Sequence, residues 1–479
     1  MSLTHASFGG GEALLFSMSF ARSKTPLYLQ LYRRIREGIE SGEFAPGEKL
    51  PSKRRLAEHL QISQFTVENA YTQLLSEGYI RTAERRGYFV EDAPVAVPRA
   101  ALDSVPPSLG SGVPAALQDR REPPPPFDLA TNAVDTEHFP YSVWSRLVRE
   151  RIRDDGARIL SAIHPQGDLE LRTQIARYLR EYRGVAARPD QIVVGAGTEY
   201  LIGGIAELLP GAVFGYENPG YGQIRRVLAG RGVPAVPIGV DDGGLDVDAL
   251  GRHSASAVFV TPSNQFPTSA VMSIGRRRQL LEWAANKSGY VIEDDFDSEF
   301  RHELKPIPAL KSLDSERVIY MNSFGKTLAP SLRIAYLVLP DELLERSRER
   351  LSAYSCTVSE LEQLTLASFI ERGHYERHLA KMKVIYRGRR DVLVSGLAPL
   401  GERLEIRGKR SGLHLLLTMP ELAETKMVER ARAQGVGVYP LTSKYESTPP
   451  ETHTVLVGYA GMGEADLAEA ARRLCAAWG

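Results

Sequence analysis

Val318-Ile319-Tyr320-Met321-Asn322-Ser323-Phe324-Gly325-Lys326-Thr327-Leu328-Ala329-Pro330-Ser331-Leu332-Arg333-Ile334 is an apolar run that breaks into a small-residue turn, presents one lysine and adds an arginine seven residues later. Upstream, Val291-Ile292-Glu293-Asp294-Asp295-Phe296-Asp297 is a second apolar run, and it ends in carboxylates. Short apolar runs bounded by turn residues read as buried strands. A lysine at one strand end and an acid at another are what a pyridoxal 5'-phosphate site requires. The amine forms the Schiff base, the acid pairs with the pyridinium nitrogen and the arginine takes the phosphate. Two buried strands capped by ordinary surface charges give the same local pattern, so the rest of the chain decides.

The chain has 479 residues, room for about three average domains or for one small and one large. Formal net charge is zero, so a nucleic-acid partner has to be met by a local basic patch rather than by global basicity. The two cysteines, Cys356 and Cys475, exclude a disulfide scaffold and a cysteine-rich metal centre, and fit a reducing cytoplasm. No apolar run approaches the roughly 20 residues needed to span a bilayer, so no membrane partner is expected. Residues 1–24 read as a leader.

Residues 25–91 form a small front domain by pattern. Leu27, Leu31, Ile35 and Ile39 recur at helical spacing behind Thr25-Pro26. Ser52 is placed to N-cap a second helix through Leu60, and Ser63 a third from Gln64 to about Glu77, with Val67, Ala70, Tyr71, Leu74 and Leu75 inward. Tyr79-Ile80-Arg81 and Gly87-Tyr88-Phe89-Val90 read as two short strands flanking a turn. Helix, turn, helix and a two-stranded wing is a DNA-binding layout. Lys53, Arg54 and Arg55 at one corner, and Arg85 and Arg86 at the wing tip, can neutralise phosphates. Gln64, Phe65, Thr66 and Asn69 at the exposed start of the third helix can reach base edges. A three-helix protein-interaction module with solvated charges is the competing reading, and the wing with its paired basic clusters argues against it.

These residues resemble the winged helix-turn-helix of GntR-type regulators. The motifs that carry the likeness are Leu50-Pro51-Ser52-Lys53-Arg54-Arg55-Leu56-Ala57, Ile62-Ser63-Gln64-Phe65-Thr66-Val67, Ala70-Tyr71-Thr72-Gln73-Leu74-Leu75-Ser76-Glu77-Gly78-Tyr79-Ile80 and Arg86-Gly87-Tyr88-Phe89-Val90. The family commonly has arginine where this chain has Gln64, which puts phosphate contact or base preference there in question. The resemblance implies operator DNA as partner, with contacts among Ser52, Lys53, Arg54, Ser63, Gln64, Thr66, Asn69, Arg85 and Arg86.

Residues 92–126 are rich in proline and small residues and read as a semi-stiff linker. From residue 127 to 479, helical and strand patterns alternate, the sign of an α/β domain with a mostly parallel sheet. Gln191-Ile192-Val193-Val194 ends at Gly195-Ala196-Gly197-Thr198, a glycine turn before a helix, where backbone amides can hold a phosphate. Val213-Phe214-Gly215-Tyr216-Glu217-Asn218-Pro219-Gly220-Tyr221 places an aromatic residue just past a strand, and Ala257-Val258-Phe259-Val260 runs into Thr261-Pro262-Ser263-Asn264-Gln265-Phe266-Pro267-Thr268-Ser269. Strand ends thus deliver polar groups to one edge, where open α/β sheets bind ligands.

This ordered series resembles the fold-type I aminotransferases, and most closely the aminotransferase-like half of MocR/GabR-type transcriptional regulators. The resemblance implies Lys326 as the Schiff-base lysine, Asp294 on the pyridine nitrogen and Tyr221 stacked on the ring. It implies Gly197, Thr198, Ser323 and Arg333 around the phosphate, and a homodimer. Three departures stand out. Phe296 replaces the family's tyrosine, and Phe266 the asparagine that reaches the cofactor's phenolic oxygen, with Asn264 as the candidate to compensate. Leu456 occupies the place of the arginine that clamps a substrate carboxylate, with Lys444 or another arginine as a possible substitute. The expectation is a cytoplasmic, ligand-responsive DNA-binding regulator that senses an amine, an amino acid or the cofactor itself at Lys326. A working aminotransferase with a regulatory appendage is the alternative, and the three departures count against its full turnover, though not against half-reactions. An apo interaction scaffold, with Lys326 a bystander, is the third reading.

Overall fold

The computed structural model describes residues 25–83, 86–92, 124–302, 308–314, 316–446 and 452–479. It resolves into two compact units, residues 1–120 and 121–479. Arg85, the leader and most of the 92–126 linker lie outside the described residues.

The front unit is built from helices α1 (Leu27–Glu40), α2 (Lys53–Leu60) and α3 (Gln64–Ser76), and strands β1 (Lys49–Leu50), β2 (Ile80–Ala83) and β3 (Gly87–Val90). Ser52 accepts from the Arg55 amide and Ser63 from the Thr66 amide, so both serines satisfy helix-end donors. Leu31, Ile35, Leu56, Val67, Ala70, Tyr71 and Leu74 close one core. Tyr71 also donates to the Pro51 carbonyl at 3.0 Å, which gives its buried hydroxyl a partner. The wing pairs β2 with β3 antiparallel, Ile80 opposite Val90. Strand β1 adds to the far side of β3, Lys49 opposite Phe89. Two residues of strand carry too little alternation to be read from sequence.

In the large unit, helix α4 (Leu169–Arg183) is N-capped by Asp168 and ends at Gly184 in the left-handed region. Helix α5 (Thr198–Leu208) follows strand β4 (Ile192–Gly195). The main sheet continues with β5 (Phe214–Asn218), β6 (Ala235–Asp241), β7 (Gly244–Leu245), β8 (Ala257–Val260), β9 (Tyr290–Asp294), β10 (Val318–Ser323) and β11 (Ala335–Val338). Its spatial order is β4-β11-β10-β9-β8-β5-β6-β7. Strands β6, β5, β8, β9 and β10 run parallel. Strand β11 is antiparallel to both β10 and β4, so β4 shares the common direction.

Alternate residues of each strand go to opposite faces. Phe259, Ile292 and Ile319 enter one core, and Val258, Val291 and Val318 another. Both faces being covered, these strands read as continuous apolar runs. The parallel arrangement puts Gly195, Asn218, Val260, Asp294 and Ser323 at one edge, and β11 starts from that edge just after Arg333. A smaller sheet, in the order Glu405–Arg407, His414–Thr418, Thr454–Gly458, Tyr439–Pro440, completes the unit. Among the described residues no helix is long and apolar enough to cross a membrane.

Candidate functional site

At the shared strand edge lies a cavity of about 350 Å³. Gly197, Thr198, Tyr221, Asp294, Ser323, Lys326 and Arg333 all line it, seven of the eight residues expected there. The eighth, Asn264, is buried but is not on the cavity wall. Ser411 Oγ donates to its Oδ1 at 3.1 Å, its Nδ2 packs against Gly412, and that nitrogen has no hydrogen-bond partner among the described residues. The wall also includes Thr131, Asn132 and Glu199, which carry no local sequence signal, and both phenylalanines of the departures, Phe266 and Phe296.

Lys326 is half-buried in the turn after β10, and its Nζ donates to the Thr131 carbonyl at 2.8 Å. Burial lowers its pKa, against the pull of the Asp297 carboxylate. A depressed lysine pKa is what imine chemistry near neutral pH needs. Asp294 ends β9 and is half-buried. Its pKa is pushed up to about 8, chiefly by burial and then by the neighbouring Asp295 and Glu217. A cationic partner in the cavity would reverse that cost.

The other end of the cavity brings a glycine turn, a helix opening and Arg333 together. Gly197 sits at φ +91°, and a Cβ there would collide with the Arg333 guanidinium, so only glycine allows this approach. Helix α5 opens at Thr198, presenting its first free amides. Arg333 Nη2 donates to the Ala196 carbonyl at 3.3 Å and to Glu199 Oε2 at 2.8 Å. Tyr221 donates to Glu199 Oε1 at 2.6 Å. Burial acts to raise the Glu199 pKa, but the hydrogen bonds from Tyr221 and Arg333 prevail and hold it below its ordinary value.

Beneath the cavity Asp295 is fully buried and takes two bonds from Arg183, at 2.7 and 2.8 Å, one from Ser263 at 2.8 Å and one from Tyr320 at 2.7 Å. This network holds the turn that follows Asp294. Leu456 is fully buried among Leu416 and Leu441, so no cation stands at its position.

On the front unit, Gln64 and Phe65 are exposed at the start of α3, and Phe65 is 70% exposed. Lys53 is paired with Glu68 at 2.5 Å and Arg54 with Glu58 at 2.9 Å. Both contacts are exposed enough to be exchanged for phosphate at little cost.

Comparison with known proteins now places these two units. Residues 27–90 match the model of bacterial regulatory proteins of the gntR family, and residues 124–474 that of aminotransferase class I and II. The HTH-type transcriptional regulator YdeL of Bacillus subtilis, itself uncharacterized, is 40% identical over 95% of this chain and 97% of its own length. The probable rhizopine catabolism regulatory protein MocR of Rhizobium meliloti is 33% identical over 95% and 94%. The chain belongs to the MocR-type transcriptional regulators. The multiple substrate aminotransferase from Thermococcus profundus superposes on its large unit with a TM-score of 0.66, at 26% identity, covering 73% of this chain and 90% of that one. The MocR-type architecture bears out the expected fold classes: a GntR-type DNA-binding head and a fold-type I aminotransferase unit with a mostly parallel sheet. It also bears out the expectation of a transcriptional regulator.

Proposed function

We propose that this regulator carries pyridoxal 5'-phosphate in the described cavity and reports an amino compound, or the cofactor itself, to its DNA-binding head. One observation carries the reading: a half-buried lysine, an acid with a raised pKa and an arginine beside a helix opening share one cavity. The residues fit the cofactor in charge and placement. Lys326 would hold its aldehyde carbon and Asp294 its pyridinium nitrogen. Arg333, Ser323, Gly197 and the opening of α5 would hold its phosphate, and Tyr221 would flank its ring. When bound, the cofactor supplies an aldehyde that a free amine can capture in place of Lys326.

The protein's own groups then divide the work. The Thr131 carbonyl orients the Lys326 amine, and the Arg183–Asp295 network fixes the segment that carries Asp294 and Phe296. Phe266 and Phe296 offer no hydrogen bond to a phenolic oxygen, and Leu456 no charge to a carboxylate. This wall favours capture of an amine over full transamination. The front unit binds double-stranded operator DNA through the face carrying Gln64, Thr66, Asn69, Lys53, Arg54 and Arg86. The assembly is a cytoplasmic homodimer built on the large units, which presents two heads to spaced half-sites.

The absorption spectrum of the purified protein, beside Lys326→Ala, tests the reading. A visible band in the parent that Lys326→Ala lacks is the expected result, and titration with amines should shift it. A parent that shows no such band after addition of pyridoxal phosphate would refute the cofactor assignment.

A further inference from the structure

Helix α3 turns Val67, Ala70, Tyr71 and Leu74 into the core of the front unit. Phe65, Glu68, Asn69 and Thr72 recur at helical spacing on its outer side, where Phe65, Glu68 and Thr72 are exposed and Asn69 is half-buried. Lys53, at the start of α2, reaches Glu68 at 2.5 Å and neutralises its carboxylate. Arg54 beside it extends into solvent, its side chain 82% exposed. The outer side of α3 thus carries no uncompensated negative charge and is edged by cations, a surface that phosphates can approach.

Phe65 is the odd residue of that side. Its side chain is 70% exposed, one turn before the Lys53–Glu68 pair. In the described front unit the other exposed large apolar residue is Leu27, at the start of α1, at 43%. A single exposed apolar side chain is ordinary on a surface, but this one stands in the first turn of the helix that faces the duplex. The Thr66 hydroxyl is engaged with Ser63 Oγ at 2.8 Å, inside the helix cap. Gln64 and Phe65 are the exposed residues of that turn.

A phenyl ring has no hydrogen bond to offer, so it does not read the donor and acceptor pattern of base edges. Among the base edges of the major groove, the C5-methyl of thymine is the apolar group. Laying a ring on that methyl removes both from water. Cytosine lacks the methyl, and the purines present polar atoms.

We propose that Phe65 reads the C5-methyl of one thymine in each operator half-site, and so sets specificity at that position. The assignment rests on the proposed binding of operator DNA through this face. Lys53 and Arg54 fix the duplex by its phosphates without regard to sequence, and Phe65 adds discrimination between bases.

The test takes duplexes that the full-length protein selects from a random pool and replaces each thymine in turn by deoxyuridine, which lacks only the C5-methyl. At one thymine per half-site the parent should lose about fourfold in affinity by gel shift, as for one methyl group returned to water. Phe65→Ala and Phe65→Asn should each bind the thymine and deoxyuridine duplexes equally. A parent indifferent to every replacement, or selected half-sites that hold no thymine, overturns the assignment and leaves operator binding standing. So does a penalty that persists unchanged in both variants. A parent that selects no duplex refutes operator binding itself and takes the assignment with it.

Discussion

The Arg333 guanidinium donates to Glu199 Oε2 at 2.8 Å, beside the glycine turn where the phosphate of a bound cofactor would sit. A carboxylate thus holds the cation that an incoming dianion needs. The pair is half-exposed, 54% for the Arg333 side chain and 35% for Glu199, so solvent screens it and breaking it is cheap. Glu199→Gln removes the like charge and should tighten pyridoxal phosphate binding by about fivefold, roughly 1 kcal/mol. The dissociation constant from absorbance titration measures this, and unchanged or weaker binding would show that Glu199 does not compete.

Asp294 should make the cofactor-free protein less stable as pH rises from acid to about 8. Its pKa is raised to about 8, above the ordinary carboxylate value, so the folded state binds the proton more tightly than the unfolded state. That stabilisation is complete below the unfolded pKa and is lost as pH rises toward 8. Glu217, Glu293 and Glu299, each raised to about 7 with burial the leading cause, act in the same direction. The melting temperature should fall from pH 5 to pH 8. Asp294→Asn should flatten the upper part of that fall, and so should loading the site with a pyridinium. An identical profile in Asp294→Asn would remove Asp294 from the account.

The buried Arg183–Asp295 pair is expected to dominate local stability. Asp295→Ala leaves Arg183 charged, 5% exposed and without its carboxylate, and takes the acceptor from the Tyr320 hydroxyl. Breaking such a pair costs about 3–5 kcal/mol, whereas replacing both partners by apolar residues costs far less. Urea midpoints of Asp295→Ala and of the double variant Arg183→Met/Asp295→Leu would separate the two cases. Equal loss in both would mean that packing, not charge pairing, is at stake.

On the front unit, Ser63 and Gln64 are neighbours with separable roles. Ser63 Oγ accepts from the Thr66 amide at 3.1 Å, so Ser63→Ala should cost about 1 kcal/mol of head stability. Gln64 is exposed and caps nothing, so Gln64→Ala should change stability by less than about 0.5 kcal/mol while weakening binding to duplexes selected from a random pool. Gel shifts and thermal melts on both variants check this. A Gln64→Ala protein that selects the same duplexes with the same affinity would exclude Gln64 from recognition.

The sequence by itself determined the two units, the caps at Ser52 and Ser63, and the strands that end near Gly195, Asn218, Val260, Asp294 and Ser323, but not Ala235–Asp241, Ala335–Val338 or the spatial order of the sheet. Those properties follow from side-chain period and from cap and turn chemistry, which act over a few residues. Because parallel strands share one C-terminal edge, knowing the strand ends was enough to gather Lys326, Asp294 and Gly197–Thr198 in one place. Contacts between distant segments were beyond its reach. The partner of Lys326 is the Thr131 carbonyl, 195 residues away. Glu199 reads locally as an ordinary acid in a helix's first turn, and only the chain's return through Arg333 makes it the partner of that cation. The sheet register likewise decides that Leu456 is buried against Leu416 and against Leu441 on a turn. The reason is physical: propensity is local, whereas burial, charge pairing and cavity shape depend on which segments the fold brings within a few ångströms of one another.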